Sequence, residues 1–378
     1  MIKLGVIYGG KSTENEVSAK SAQSILNNLD KNNYEIYPIY IDKNGEWFEE
    51  KNDQRTKIEN IIEYIKKLDR VFPVLHGLYG EDGTIQGMFE LFGIKYVGCK
   101  VLASSVGMDK VYTKLIFDKA KINQTKYIYI KKNTNGNYTY IDEELNEKNM
   151  SVEEITTIAE EKLKYPMFVK PSNSGSSVGV NKSENKEQLI KNIETAAKFD
   201  KKALIEEGII GKEVECAVLE SEDGKIEVTN PGEIIPAGEY YSFDSKYNDK
   251  ESKTLNNARI SDEQKEEIRS IALKAFKAID GCGLSRVDFF VEDETGKIYI
   301  NEINTMPGFT EISMYPKLFE EYGYSYSELL DKLIKTPWQF QKKGVNYIRI
   351  TDIVFWNWKR EPSQFPERSE TNWKKKLR

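Results

Sequence analysis

The chain begins with apolar runs of strand length that alternate with helical segments, and this alternation restricts the fold more than any other feature. The runs at 2–8, 34–41 and 70–75 read as strands. Helical segments at 13–29 and 58–68 separate them, so the order is β-α-β-α-β. This order predicts a parallel sheet with helices packed on its faces.

The turn after the first predicted strand contains two overlapping motifs. Thr13 and Glu16 have the spacing of a capping box, which predicts that the helix begins there. Residues 5–12 also match G-x-x-x-x-G-K-S, the phosphate-binding P-loop. A P-loop needs a full strand before its first glycine, and only four residues precede Gly5. We therefore favour a glycine turn that places Glu14 at a helix N-terminus, with a P-loop NTPase as an alternative.

His76 is the single histidine of the chain, and it follows the third predicted strand. It opens a loop that contains three glycines and the acids Glu81 and Asp82. Ligands of open α/β sheets bind outside the carboxyl ends of the strands, where such a loop lies. A histidine with a purely structural role is the alternative, but the position favours a functional one.

A short strand ends at Lys170 and continues into a loop of serine and glycine at 172–180. The backbone N–H groups of such a loop can wrap a phosphate while the ammonium group supplies charge. Lys110 and Lys114 lie on nearby turns of a helix predicted at 105–120. An ordinary flexible surface hairpin is the alternative for this loop, because serine and glycine clusters are common in loops.

Glu206 and Glu213 flank a short connection between two predicted strands, and ordinary strand-end charges are the alternative to a binding role. Residues 131–149 are polar and read as a surface excursion. Residues 239–258 form a long, polar, tyrosine-rich stretch. Loops of this length without secondary structure are uncommon and often act as lids, so a lid is expected here.

A predicted hairpin carries the strongest candidates for metal ligands. Side chains alternate between the faces of a strand, so Arg286 and Asp288 share one face of the first strand. Glu302 and Asn304 share a face of the second strand with the isoleucines before them. If the strands are antiparallel neighbours, two carboxylates and an amide oxygen converge, and such hard ligands hold Mg²⁺ against phosphates. A surface hairpin with polar side chains in water is the alternative.

Composition excludes several classes of protein. The net charge of −6 argues against a general nucleic-acid binder, which needs a basic face. No apolar run approaches the ~20 residues of a membrane span, and the N-terminus lacks the apolar region of a signal peptide. The three cysteines are far apart in sequence, so we expect packing residues in a reduced, cytoplasmic protein.

The segment at 336–378 differs from the rest of the chain. It holds four of the five tryptophans and ends in the basic run KKKLR, without a recognisable motif. An added module, an interaction tail and non-native sequence are the three interpretations that this composition leaves open.

Six motifs together make residues 2–335 resemble the D-alanine–D-alanine ligases of the ATP-grasp superfamily. In chain order they are GGKSTENEVS, HGLYGEDGTIQG, GMDK, VKPSNSGSSVGV, SRVDFF and NEINTMPGFTEIS. The resemblance implies an α/β fold of three domains, with a parallel-sheet, pre-ATP-grasp domain first and ATP between the sheets of the other two. The implied domains are 1–98 for substrate binding, 99–204 as the central ATP-grasp domain, 205–335 as the C-terminal ATP-grasp and metal-binding domain, and 336–378 as a tail of unknown role.

The activity implied by the resemblance is ATP-dependent ligation of two D-alanine molecules through a D-alanyl phosphate, for peptidoglycan precursor synthesis. ATP is the implied co-substrate, with two Mg²⁺ ions per site and Mn²⁺ as a substitute. A cytoplasmic homodimer that binds neither nucleic acid nor membrane is expected. The alternatives are a D-alanine–D-serine or D-lactate ligase of the same fold, and an inactive nucleotide-binding regulatory protein. The intact Arg286, Asp288, Glu302 and Asn304 argue against the inactive protein.

The resemblance also implies roles for individual residues. The implied catalytic residues are Glu14, Ser176, Arg286, Ser313, Tyr247 and Gly308. The implied substrate-binding residues are His76, Lys246, Ser313 and Met314. The implied ATP-binding residues are Lys110, Lys170, Gly175, Ser176, Ser177, Glu206, Glu207, Glu213 and Asn301. The implied metal ligands are Asp288, Glu302 and Asn304.

Several of these roles are specific. Glu14 would hold the ammonium group of the first D-alanine, and Ser176 would link it to the lid tyrosine. Arg286 would stabilise the developing tetrahedral charge. Tyr247 favours an amine as second substrate, while Phe243 stands where several relatives have tyrosine.

Overall fold

The computed structural model describes residues 1–52, 54–236 and 253–336, and their strands form three sheets. The first part contains β1 (Ile2–Gly9), α1 (Asn15–Asn28), β2 (Tyr34–Ile41), β3 (Trp47–Lys51), β4 (Gln54–Lys57), α2 (Ile61–Ile65) and β5 (Arg70–Pro73). The sheet order is β4-β3-β2-β1-β5, and β1 runs parallel to β2 and β5. The predicted parallel sheet is confirmed, and the antiparallel strands β3 and β4 extend it.

The capping box predicted in the first turn is wrong, whereas the favoured glycine turn that places Glu14 at a helix N-terminus is confirmed. Helix α1 begins after Glu14, and within the described part of the chain no side chain caps its N-terminus. The side chain of Glu16 is exposed and lies 3.8 Å from Lys43, so it does not complete a capping box. Gly5 lies inside β1, where a Cβ would come within 2.7 Å of Leu68 Cδ1. This glycine serves close packing beneath the sheet, and the segment is not a phosphate-binding loop.

Three helices lead into the second sheet, which is antiparallel. Its elements are α3 (Thr84–Phe92), α4 (Val101–Met108), α5 (Lys110–Lys119), β6 (Tyr127–Lys132), β7 (Tyr138–Ile141), β8 (Glu147–Met150), α6 (Val152–Lys162), β9 (Met167–Pro171), β10 (Asn181–Ser183), α7 (Lys186–Ala196) and β11 (Lys202–Glu207). The strand order is β10-β9-β11-β6-β7-β8. The surface excursion predicted at 131–149 is wrong, because β7 and β8 extend the sheet and Tyr138 and Tyr140 are buried. The boundary predicted after residue 204 falls inside β11.

The third sheet contains the predicted hairpin. Its elements are β12 (Gly211–Glu220), β13 (Ile226–Val228), β14 (Gly232–Ile235), β15 (Lys253–Leu255), α8 (Asp262–Ala278), β16 (Leu284–Glu292), β17 (Ile298–Asn304), α9 (Met314–Tyr322) and α10 (Tyr326–Lys335). The order is β15-β14-β12-β16-β17, and β13 pairs with β12. Strands β16 and β17 are antiparallel neighbours, as the hairpin prediction requires.

A β-bulge in the hairpin corrects the predicted faces. Phe289 pairs with Ile300 while Asp288 pairs with Glu302, so Asn301 is an extra residue in β17. A bulge of this kind shifts the alternation of side chains by one position. Ile300 is therefore buried in the core, whereas Glu302 faces away from it. The predicted common face of the isoleucines and Glu302 is wrong.

Several hydrophobic clusters hold the sheets in place. One core joins Phe72 of the first sheet to Phe309 and Tyr315 near α9, with the Phe72 and Phe309 ring centroids 5.5 Å apart. Helix α5 lies between the second and third sheets, since Val111 packs with the second and Phe117 with the third. Residues 99–122 thus do not belong to the second sheet alone. Among the described residues, no helix has the length and apolar character needed to cross a membrane.

Candidate active site

Two clefts meet among the three sheets. The larger cleft, of about 420 Å³, lies between the second and third sheets and falls in the ~300–1,000 Å³ range of small-molecule sites. The smaller cleft, of about 110 Å³, lies between loops of the first sheet and the end of the hairpin. Ser176 and Glu302 line both clefts, so a group bound at one end of the larger cleft would contact a molecule in the smaller.

The structure places the residues named from the sequence as follows. The larger cleft is lined by Lys110, Lys170, Ser176, Ser177, Glu206, Glu207, Glu213, Asn301 and Glu302. The smaller cleft is lined by Glu14, His76, Gly175, Ser176, Arg286, Glu302, Asn304, Gly308, Ser313 and Met314. Asp288 is buried and contacts Arg286 and Asn304. Lys246 and Tyr247, together with Phe243 and the segment 337–378, lie outside the described residues.

Glu14 is held between the first sheet and the serine and glycine loop. The hydroxyl group of Ser176 donates a hydrogen bond to Glu14 Oε1 across 162 positions of sequence. A Cβ on Gly77 or Gly175 would come within 2.4 or 2.6 Å of Glu14 Oε2. A side chain at either position would displace this carboxylate, so the two glycines let the backbone close around Glu14.

His76 is buried beside Glu14 and is held from both sides of its ring. Its Nδ1 lies 3.2 Å from the carbonyl oxygen of Met306 and 3.4 Å from Glu81 Oε1. Its Nε2 lies 2.9 Å from Ser21 Oγ. Burial lowers the pKa of His76, but the bond to Glu81 and the nearby carboxylates outweigh it and raise the pKa above its ordinary value. The groups around His76 thus favour its protonated form more than water does.

Arg286 forms a two-bond pair with Asp288 in the predicted hairpin. Its Nε and Nη2 donate to the two oxygens of Asp288, each at 2.7 Å. Glu215 Oε2 lies 3.1 Å from the same Nε, and Asn304 Nδ2 donates to Asp288 at 3.0 Å. Burial lowers the pKa of Arg286, but Asp288 and Glu215 raise it well above its ordinary value, so a permanent positive charge faces the smaller cleft.

Two lysines meet the acids of the larger cleft. Lys110 lies 3.3 Å from Glu302 and donates to the carbonyl oxygen of Ser174 in the serine and glycine loop at 2.8 Å. Lys170 pairs with Glu206 and donates to Asn301 Oδ1 at 3.3 Å. Both lysines therefore contribute positive charge to the wall of the larger cleft.

Comparison with known proteins identifies the family. A family model described as the D-ala D-ala ligase N-terminus matches residues 3–99, and one described as the D-ala D-ala ligase C-terminus matches residues 116–335. The D-alanine–D-alanine ligase of Acetivibrio thermocellus is 49% identical, and the match covers 87% of this chain and 94% of that one. The corresponding ligase of Clostridium acetobutylicum is 46% identical, with 88% and 97% covered.

The chain belongs to the D-alanine–D-alanine ligase family. Solved structures agree with this assignment: the VanG D-Ala:D-Ser ligase from Enterococcus faecalis matches with a TM-score of 0.75 and 36% identity, over 88% of this chain and 98% of that chain. The D-alanine–D-alanine ligase from Coxiella burnetii matches with a TM-score of 0.73 and 30% identity, over 88% and 93%. The predicted family and its ATP-grasp α/β fold are thereby confirmed, and so is an ATP-dependent ligase that forms a carbon–nitrogen bond.

The oxygen atoms at the hairpin suit the hard divalent cation that the ligase family implies. Asp288 and Glu302 pair directly across two strands, and Asn304 adds an amide. Carboxylate and amide oxygens beside a phosphate-binding cleft are the ligands that Mg²⁺ takes. Among the described residues, no group of three or more His, Cys, Asp or Glu forms a complete metal cage. An ion held partly by substrate phosphates fits this arrangement, because Mg²⁺ rarely uses an all-protein cage.

Sequence reasoning assigned no role to three charged residues of the ligase site. Glu81 contacts His76, Glu215 contacts Arg286, and Lys114 contacts Glu206. Glu215 carried a usable signal, since it lies two residues after Glu213 on the same strand and so shares its face. Lys114 gave no such signal, because its helix reads as amphipathic and the sequence does not show which face meets the glutamate.

Proposed function

We propose that this chain joins two D-alanine molecules into D-alanyl-D-alanine while it converts ATP into ADP and phosphate, for peptidoglycan precursor synthesis in the cytoplasm. The observation that supports this most is the meeting of the two clefts at Ser176 and Glu302. A nucleotide in the larger cleft would present its terminal phosphate to a small amino acid in the smaller cleft. Such proximity is what phosphoryl transfer to a carboxylate requires.

The reaction that we propose has two steps. A carboxylate oxygen of the first D-alanine attacks the γ-phosphorus of ATP, which forms D-alanyl phosphate and releases ADP. The amine of the second D-alanine then attacks the acyl carbon, so that a C–N bond forms, the C–O bond to phosphate breaks and a proton is released. Glu14 would hold the first ammonium group, and Arg286 and Lys170 would stabilise the moving negative charge by preorganised electrostatics.

The proposed metal ligands are Asp288, Glu302 and Asn304, for two Mg²⁺ ions with Mn²⁺ as a substitute. Bound Mg²⁺ supplies charge neutralisation at phosphoryl oxygens. The protein groups would orient the substrate around it. Ser313 and Met314, at the start of α9, would contact the second substrate in the smaller cleft.

Phosphate release from ATP tests this proposal. The assay uses Mg²⁺ with D-alanine, L-alanine, D-serine or D-lactate, and mass spectrometry identifies the product. We expect release that needs D-alanine and yields the dipeptide. A product that joins D-alanine to D-serine or D-lactate would instead identify the chain as the corresponding alternative ligase.

A chain that binds nucleotide but releases no phosphate with any of these substrates would contradict the proposed activity and favour the regulatory alternative. A second arm uses residues 1–336, because the family match ends at 335. Thr336 is kept because its carbonyl oxygen accepts a bond from Arg70 at 3.1 Å. We expect this shorter chain to retain the activity within about twofold, since the bonds and clefts of the site lie before its end. Activity in the shorter chain alone would show that 337–378 inhibits the enzyme.

We further propose a homodimer that forms through α3 and α4, which follow the first sheet. Leu91 of α3 and Leu102 of α4 are 58% and 59% exposed on adjacent helices, and exposed apolar patches often mark interfaces. Light scattering is expected to give twice the mass of one chain. Leu91→Glu with Leu102→Glu should give the mass of one chain, while Leu145→Glu, at a site 62% exposed on the second sheet, should not. A monomeric wild type would refute the dimer.

A further inference from the structure

Lys114 is buried to an extent that is rare for lysine, with 3% of its surface exposed. Its Nζ lies 2.9 Å from Glu206 Oε2 and donates to Thr125 Oγ1 at 3.2 Å. Thr125 Oγ1 donates in turn to the same Glu206 oxygen at 2.9 Å. The ring of Tyr127 lies over Nζ, with 5.1 Å to its centroid. One oxygen of Glu206 is therefore held by a buried triangle of groups on α5 and the segment after it.

The other oxygen of Glu206 has a different partner. Lys170 pairs with Oε1, and it lines the larger cleft together with Glu206. Glu206 thus has one lysine from the side of the cleft and one from the protein interior. Burial raises the pKa of Glu206, but Lys114 and Lys170 outweigh it and lower the pKa below its ordinary value. The carboxylate is ionised and acts only as an acceptor.

The two lysines cannot have equivalent roles. A lysine that binds phosphate must turn its ammonium group from Glu206 towards the nucleotide. A buried carboxylate that loses its last cationic partner is strongly unfavourable. If Lys170 were the sole cationic partner of Glu206, this cost would oppose every binding event. A second cation that stays on Glu206 removes the cost.

We propose that Lys114 is a positioning residue that remains the counter-ion of Glu206 and thereby frees Lys170 to bind the phosphates of the nucleotide. The proposal builds on the proposed function, because it takes Lys170 as a phosphate-binding residue. Lys114 itself touches no substrate in this arrangement. Its effect is therefore on nucleotide affinity rather than on the chemical step.

Equilibrium binding of ADP with Mg²⁺ to the full chain, measured by calorimetry, tests the proposal. Lys114→Met is expected to weaken ADP binding about 10- to 100-fold, because Glu206 then retains Lys170. Lys119→Met is the matched control, since Lys119 is exposed on the same helix, and it should bind ADP within about twofold of wild type. In the ligase assay, Lys114→Met should raise KM for ATP while kcat at saturating ATP stays within about twofold.

A double-mutant cycle with Glu206→Gln separates this role from simple packing. Without the charge on residue 206, Lys170 is not retained, so Lys114→Met should change ADP affinity by less than about threefold in that background. Equal losses in both backgrounds would mean that Lys114 acts through packing and would overturn the proposal. Lys114→Gln, which keeps a donor in the same space without the charge, is a second variant with the same expectation.

The outcomes separate the two proposals. A folded Lys114→Met or Lys114→Gln protein that binds ADP as tightly as wild type would overturn the role of Lys114. Wild-type protein that binds neither ADP nor ATP would overturn the proposed function instead. Thermal unfolding of each variant shows whether a loss of binding reflects a loss of fold.

Discussion

Arg286→Lys is expected to lower kcat about 10²- to 10³-fold, the loss typical of removing one preorganised donor from a developing charge. Lysine keeps the positive charge but not the planar fork that donates two bonds to Asp288 at 2.7 Å. A point charge between Asp288 and Glu215 cannot hold both acids and still point a donor into the smaller cleft. Steady-state kinetics with saturating ATP and D-alanine measure the effect.

The control for this substitution is Arg269→Lys. Arg269 lies on α8 and lines neither cleft, and its partly exposed side chain pairs at 2.5 Å with Glu266 of the same helix. Such pairs contribute little to stability, so kcat should stay within about twofold. Alanine at position 286 would leave two buried carboxylates without a cation and so threaten the fold itself, whereas lysine keeps the charge. An Arg286→Lys enzyme within threefold of wild type would show that the guanidinium geometry is not needed.

The parts of this fold that the sequence predicts are those with a local period. The alternation of apolar runs with helices gave the parallel pairing of β1, β2 and β5, because a crossover helix leaves few other arrangements. The polar residues at the hairpin converge because every second side chain of a strand points to the same face. Asn304 does reach Asp288, at 3.0 Å, as that period requires.

Features that depend on one inserted residue or on contacts distant in sequence could not be predicted from the spacing of apolar residues. The bulge at Asn301 moves Glu302 away from the core, and an alternating pattern contains no signal for an extra residue. The capping box failed because local motifs are weak against tertiary demands. Glu14, just before the first turn of α1, accepts a hydrogen bond from Ser176 in the loop after β9, and no local motif indicates that contact.

The charge network around Glu206 was likewise only partly predictable from the sequence. Lys170 was found because it stands at the end of a strand before a serine and glycine loop, whereas the binding role of Glu206 was implied only by the resemblance to the ligase family. Lys114 was visible as a helical lysine, but its role follows only from the position of α5 between two sheets. Burial decides whether a lysine is a solvated surface charge or the counter-ion of a glutamate.

Lys170→Ala is expected to lower ATP turnover by about 10³-fold, whereas Lys11→Ala should leave it within about twofold. Lys170 lines the larger cleft at the end of β9, so its loss removes a positive charge from the path of the phosphates. Lys11 is exposed beyond β1, and its Nζ lies 5.7 Å from the centre of the Tyr79 ring. ADP formation with saturating D-alanine and Mg²⁺ measures both variants.

Comparison of these two substitutions also distinguishes two modes of nucleotide binding. A P-loop would place the essential ammonium group at Lys11, and the order of the two effects would then be reversed. Lys170→Ala leaves Glu206 paired with Lys114 at 2.9 Å, so the loss of turnover should come without loss of the fold. Circular dichroism and thermal unfolding check that point. Equal effects of the two substitutions, or a larger effect at Lys11, would refute the assignment of the phosphate site to the cleft between the second and third sheets.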